Sequence, residues 1–187
     1  MGFATATRWK PLSKAQRDKL GVFMIEIASK KQFEECYKNY KFSSNEEECQ
    51  YKLYKEIFDN PKVDALLVYY IENSKYIGEC VLVFKDKRKE LEFLCEYDLV
   101  NIPKVCMMKN LCIYEEENRG KGYFTKFLKE IENLVKEKQF NSIIISVSTN
   151  NTHAIDVYKH LGFIEMDKKK YKDTGDMIVM KKELEGK

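Results

Sequence analysis

Asn118-Arg119-Gly120-Lys121-Gly122-Tyr123-Phe124-Thr125 is the stretch on which the reading of this chain turns. Upstream of it lie the apolar runs Val105–Met108 and Leu111–Tyr114, which read as a strand. Downstream, Phe124, Phe127, Leu128, Ile131, Leu134 and Val135 recur three and four apart, the spacing of an amphipathic helix. The order is therefore strand, acidic loop, Gly-Lys-Gly turn, helix. A helix that starts in a glycine turn presents unpaired N–H groups and the positive end of its dipole. That is a seat for a phosphate or pyrophosphate. Gly120 and Gly122 let the backbone approach such an anion, and Arg119 and Lys121 can add charge. The competing reading is structural only: a strand-to-helix turn that needs positive φ.

Two familiar phosphate loops are excluded. Lys121 sits between the glycines and no glycine stands four residues before Gly120, so there is no G-x-x-x-x-G-K-[ST]. Thr125 stands where G-x-G-x-x-G needs its third glycine. A second constellation follows at Asn151-Thr152-His153-Ala154-Ile155-Asp156-Val157-Tyr158-Lys159-His160-Leu161-Gly162-Phe163. Arg119-x-x-Gly122-x-Phe124 resembles the acetyl-CoA pyrophosphate loop [Q/R]-x-x-G-x-[G/A] of the GNAT N-acetyltransferase superfamily, departing from it at Phe124. Asn151–Phe163 is similar to that family's N-x-x-A-x-x-x-Y-x-x-x-G-F at every defined position. The resemblance covers about 107–163. It implies a mixed, mostly antiparallel sheet flanked by helices and splayed where acetyl-CoA binds.

The resemblance also implies roles. The pantetheine arm would run along Leu111, Cys112 and Ile113, and the pyrophosphate would meet Arg119, Gly120, Lys121, Gly122, Tyr123, Phe124 and Thr125. Asn151 has two readings, helix N-cap and amide contact to the pantetheine arm. Tyr158 would stabilise the departing CoA thiolate; its structural alternative is an amphipathic core tyrosine. A backbone N–H on the Leu111–Ile113 segment would polarise the thioester carbonyl. Cys112 as an acetyl-carrying nucleophile is disfavoured, because no histidine base lies near it in sequence.

Composition fits this reading without selecting it. The 187 residues suffice for one domain with a real core, and 44% hydrophobic content argues against disorder. A net charge of +3 implies no strong field for nucleic acid or membranes. Cysteines stand at 36, 49, 80, 95, 106 and 112 without a C-x-x-C, and the only histidines are His153 and His160. Zinc spacing is absent, and reduced thiols in the cytoplasm are expected. There is no membrane-length apolar run and no signal-peptide core, and Ala6 stands where myristoylation needs Ser or Thr.

In chain order, residues 1–20 read as a polar extension or packing arm, and residues 21–187 as a single domain. Val22–Ile27 is a strand, and Ser29-Lys30-Lys31-Gln32 a capping box opening a helix to about Tyr40. Ser44-Asn45-Glu46-Glu47 opens a second helix that stops at Asn60-Pro61. Ala65–Ile71 and Tyr76–Phe84 are strands joined by a turn at 72–75, Lys85–Lys89 is a charged turn, and Leu91–Tyr97 is a further strand. The motif helix ends near Lys138. Ser142–Val147 is a buried strand, a short helix carries Ala154–Leu161, and Ile164–Tyr171 with Met177–Lys181 closes the sheet as a hairpin.

The expected reaction is direct attack of a neutral primary amine on acetyl-CoA, with a small-molecule acceptor favoured. Acetylation of protein lysines or N-termini is one alternative, and a non-catalytic acyl-CoA-binding module is another. An alkylamine with pKa near 10.4 is neutral about once in 2,500 molecules at pH 7, so a carboxylate or a water chain must take a proton. Glu79 is a candidate, whereas Glu115–Glu117 read as a solvated loop. Acceptor identity and oligomeric state stay open, a homodimer among the options.

Overall fold

The computed structural model describes residues 24–37, 45–73, 75–86, 102–114, 120–171 and 175–184. The arm at 1–20, the strand expected at Leu91–Tyr97, the loop Glu115–Glu117 and Arg119 lie outside the described residues. The elements are β1 (Met24–Ile27), α1 (Lys30–Tyr37), α2 (Asn45–Asp59), β2 (Val63–Glu72), β3 (Lys75–Asp86), β4 (Val105–Ile113), α3 (Tyr123–Glu137), β5 (Ser142–Ser148), α4 (Thr152–His160), β6 (Ile164–Tyr171) and β7 (Gly175–Glu183).

Local chemistry sets several of these boundaries. Ser29 Oγ accepts the Gln32 N–H at 3.2 Å, while Gln32 Oε1 accepts the Ser29 N–H at 2.8 Å. This is the reciprocal box read from sequence. α2 stops at Asn60, whose side chain donates to Glu56 and accepts the Lys62 N–H, just where Pro61 has no N–H to give. β2 and β3 form a hairpin in which Asn73 takes φ 48°, a left-handed value asparagine tolerates. β3 runs on to Asp86, two residues into the charged turn expected from Lys85, because Asp64 and Val63 pair with Lys85 and Asp86.

The seven strands form one sheet in the order β1-β2-β3-β4-β5-β7-β6. Every pairing is antiparallel except β4 with β5. That parallel pairing spans only Val105↔Ser142, Cys106↔Ile143 and Met107↔Ile144. Beyond Met107 the two strands part, so the sheet is splayed from Met108 to Ile113 on one side and from Ile145 to Ser148 on the other. A register shift between Glu79 and Val81, with Asn110 at φ 52°, marks a bulge in this free part of β4.

Alternation along the strands divides the core into two layers. One face carries Cys80, Leu82, Met108, Ile143 and Ile145 against Phe127, Leu128, Ile131 and Val135 of α3 and Ile155 of α4. The other carries Leu67, Tyr69, Val81, Met107 and Ile144 against Phe33 of α1 and Tyr54 of α2. Phe33 is ringed by Tyr37, Tyr51, Tyr54 and Phe58 at centroid distances of 4.9–6.3 Å. Among the described residues no helix is long and apolar enough to cross a membrane.

Candidate active site

The gap between β4 and β5 opens toward the C-terminal ends of both strands, which is also where α3 begins. Gly120 and Gly122 take φ 73° and 75°, and a Cβ built on either meets nothing within 4 Å. The glycines are needed for left-handed backbone rather than for space inside the protein. Gly122 caps α3 without a side chain, and its carbonyl accepts the Lys126 N–H at 3.2 Å. The first-turn N–H groups, those of Tyr123, Phe124 and Thr125 among them, therefore have no partner within the helix. Lys121 is exposed beside them. Interaction with Glu72, more than burial, raises the Tyr123 phenol, which sets this turn beside the β2–β3 hairpin.

Leu111 and Ile113 pack toward α3 and α4, so what they offer the gap is backbone. Cys112 lies on the other face, opposite Glu79 in the β3–β4 pairing. Burial first, then the charge of Glu79, pushes its thiol up to about 11, against a weaker opposing hydrogen bond to the Glu79 backbone. A thiol so reluctant to ionise is a poor nucleophile at neutral pH. Asn151 is the N-cap of α4: its Oδ1 accepts the Ala154 N–H at 3.1 Å. Its oxygen is thus used locally, as the N-cap reading of the sequence expects.

Tyr158 projects from α4 onto the α3 face, edge-on to Phe124 at 5.6 Å and to Phe163 at 5.3 Å. The ring packs on the core, as the structural reading of the sequence expects, beside Phe124 of the first turn of α3. Burial, and secondarily Cys80, pushes its phenol up to about 12. His153 and His160 are exposed, and His160 Nδ1 bonds the Asp156 carbonyl at 2.7 Å.

The α1/α2 face of the gap holds residues that the motifs do not mark. Glu79 is 5% exposed, and both of its oxygens accept hydrogen bonds. Tyr54 Oη donates to Oε1 at 2.6 Å, and Tyr114 Oη donates to Oε2 at 2.5 Å. Burial, followed by the charge of Glu79 and the bond to it, holds the Tyr114 phenol well above its ordinary value. Across the gap, the buried Ser146 Oγ has no hydrogen-bond partner among the described residues. A serine within Ser142-Ile143-Ile144-Ile145-Ser146-Val147-Ser148 was the only sequence signal for that position.

The arrangement brings together a helix N-terminus, a stretch of β4 that β5 does not pair, a phenol on one face of the sheet and a buried carboxylate on the other.

The sequence model of the acetyltransferase (GNAT) family matches residues 30–163. No curated protein sequence matches the chain. Among solved structures, AAC(6')-Ib in complex with ribostamycin and coenzyme A is similar at a TM-score of 0.64 and 12% identity, covering 86% of this chain and 93% of that one. The ribosomal-protein-S18-alanine N-acetyltransferase of Escherichia coli is similar at 0.57 and 12% identity, covering 89% and 96%. A family acetyltransferase of Elizabethkingia anophelis with acetyl-CoA bound is similar at 0.54 and 17% identity, covering 87% and 98%. At these identities the structures speak for the fold alone: a mixed, mostly antiparallel sheet flanked by helices.

Proposed function

The chain belongs to the GNAT acetyltransferase family, and from that premise we propose that it transfers the acetyl group of acetyl-CoA to a primary amine by direct attack, a small molecule being the favoured acceptor. The observation that carries this reading is the parting of β4 from β5 beyond Met107 and Ile144, with the αL glycines of the α3 turn at the open end. The pyrophosphate sits on the N–H groups of the turn. The pantetheine arm continues the sheet along Leu111–Ile113, where β4 has lost β5 as a partner. The thioester then lies near the Asn110 bulge, and a β4 N–H polarises its carbonyl.

The amine reaches the thioester carbon from the α1/α2 face. A tetrahedral oxyanion forms and collapses, and sulfur leaves toward Tyr158. The Tyr158 hydroxyl stabilises charge on sulfur by hydrogen bonding. The high burial-induced pKa of Tyr158 sets it far from full proton transfer to a thiolate. Cys80, Cys106 and Cys112 are free thiols, which supports a reducing, cytoplasmic setting.

The test is acetyl-CoA turnover across a panel of polyamines, aminoglycosides, arylalkylamines and lysine or N-terminal peptides, followed by release of CoA thiol. Turnover of a small amine is the expected result. Turnover confined to peptides would move the acceptor to proteins. Tight acetyl-CoA binding with no acceptor turned over would make the chain a binding module.

A further inference from the structure

Strand β5 carries Ser142, Ile144, Ser146 and Ser148 on one face. Ile144 packs in the core under α1 and α2, and so does Val179, the β7 residue paired with Ser146. Ser146 therefore stands on the α1/α2 face of the sheet. Its two sister hydroxyls have partners: Ser142 Oγ donates to Asn141 Oδ1 at 3.3 Å, and Ser148 Oγ accepts the Asn150 N–H at 3.3 Å. Ser146 Oγ is buried and has none among the described residues. A hydroxyl so placed between Ile144 and Val179 costs free energy that an alanine there would not. Its level along the strand is also particular. β4 and β5 pair as far as Met107↔Ile144 and then part. Two residues further along each strand, Ser146 comes into register across the gap with Lys109, beside the Asn110 bulge. The residue as a whole is partly exposed, and rotation about χ1 moves its hydroxyl without moving the strand.

Resting on the acetyl-transfer reading, we propose that Ser146 is a contact residue for the acceptor amine: its Oγ accepts one N–H of the neutral primary amine and so aims the nitrogen lone pair at the thioester carbon. The level of the serine matches that of the thioester, which lies near the Asn110 bulge. Its face separates this role from holding the cosubstrate. The pantetheine arm bonds β4 backbone in the plane of the sheet, whereas the Ser146 hydroxyl stands off that plane on the side from which the amine arrives. On the opposite face Ile145 and Val147 are apolar and packed in the core with α3 and α4, so β5 offers the reacting centre no polar side chain there. A primary amine has two N–H groups and a lone pair. One N–H goes to Ser146, the lone pair to carbon, and the second N–H is left for the group that takes the proton. Ser146 keeps its own proton, and no bond to Oγ forms or breaks. It is no acyl-carrying nucleophile, because an Oγ without a hydrogen-bond partner has no base to activate it. Its contribution is orientation of the attacking atom.

The experiment uses the full chain, acetyl-CoA and the best primary amine of the panel. Ser146→Ala is expected to lower kcat/KM for the amine about tenfold, the size of one hydrogen bond. Its acetyl-CoA Kd, from titration calorimetry, should stay within about twofold of the parent, since the β4 backbone is untouched. The Tm of the free variant should equal or exceed the parent's, because no bond inside the protein is lost. Ser146→Thr keeps a hydroxyl and suits a strand, and should hold kcat/KM within about threefold of the parent. Parent-like kcat/KM in Ser146→Ala, or an equal loss in Ser146→Thr, would overturn the contact. A fall in acetyl-CoA affinity that accounts for the whole loss would give the hydroxyl to the cosubstrate and overturn it too. A lowered Tm, or a Ser146→Ala chain that does not fold, would mean that the hydroxyl is bonded within the protein, with the same consequence. A parent that binds acetyl-CoA but releases no thiol with any amine sinks the acetyl-transfer reading, and the contact with it. An active parent with an unaffected Ser146→Ala sinks only the contact.

Discussion

Gly78 on β3 and Cys112 on β4 approach so closely that a Cβ on Gly78 would stand 2.3 Å from the Cys112 carbonyl oxygen. The obstacle is backbone, so no rotamer change relieves it. Ile113 Cδ1, at 3.0 Å, closes the same space from the other side. Gly78→Ala should therefore push β4 away from β3 at the segment proposed to carry the pantetheine arm. Overpacking of this kind costs roughly 1–3 kcal/mol, or a fall in Tm of about 2–4 °C per kcal/mol for a chain of this size. Acetyl-CoA affinity should fall with it. Differential scanning calorimetry and titration calorimetry check both, and an unshifted Tm would mean that the strands yield more easily than this contact implies.

Gly122 presents the opposite case, since there is room for a Cβ but the backbone sits at φ 75°. A β-branched residue there pays about 1–3 kcal/mol of strain or leaves the left-handed region, turning the first N–H groups of α3 aside. Gly122→Val should weaken acetyl-CoA at least about tenfold. Gly122→Asn should weaken it less, because asparagine tolerates this region. A folded Gly122→Val variant with parent affinity would remove the pyrophosphate from this turn.

These two glycines mark where sequence reading succeeds and where it stops. Gly122 could be read because its meaning is local: a strand, a turn and a helix of fixed period lie within about thirty residues. The same holds for the Ser29–Gln32 box, the Asn60 stop and the Asn151 cap, each a contact over two to four residues. The carboxylate cluster is not local. Tyr54 and Tyr114 lie 25 and 35 residues from Glu79, and α2, β3 and β4 must be assembled before the three meet. On sequence, Glu79 is a charged residue in an otherwise apolar strand, and Tyr54 is one more aromatic on a helix rich in them. Asn110 gave no sign of its bulge, because asparagine at a left-handed position has no unique spacing.

Alkaline pH should destabilise the fold in a graded way. Burial raises the thiols of Cys80, Cys106 and Cys112, the last to about 11, and raises the Tyr158 phenol to about 12. In the unfolded chain these groups ionise nearer 9 and 10. The folded state therefore holds more protons between the two sets of values. Their contribution is complete below about pH 8.5, shrinks as pH rises from there, and is lost beyond the folded values. Urea midpoints from pH 7 to 11 should fall, with the cysteines leading and Tyr158 following. Cys112→Ala should flatten the early part of that fall, and a pair of superimposable curves would mean that Cys112 titrates alike in both states.

Tyr158 supplies the most direct test of the leaving-group half of the reaction. Its phenol, pushed up to about 12, stands about 3.5 units above a thiol of ordinary pKa near 8.5, so complete proton transfer to the thiolate is uphill by about 5 kcal/mol. A hydrogen bond that strengthens as charge builds on sulfur requires no such transfer. Tyr158→Phe keeps the ring against Phe124 and Phe163, and the fold should change little. The hydroxyl is lost, and kcat should drop by about 100-fold while acetyl-CoA affinity stays nearly constant. The loss should depend on the thiol and not on the amine. An acetyl thioester with a more acidic leaving group should therefore recover much of the rate, whereas changing the amine should not. Parent rates in Tyr158→Phe would reduce the tyrosine to packing. A joint fall in affinity and kcat would assign its hydroxyl to holding the cosubstrate. A variant that keeps its affinity, slows, and speeds up again only with the better leaving group would place the Tyr158 hydroxyl on the departing sulfur.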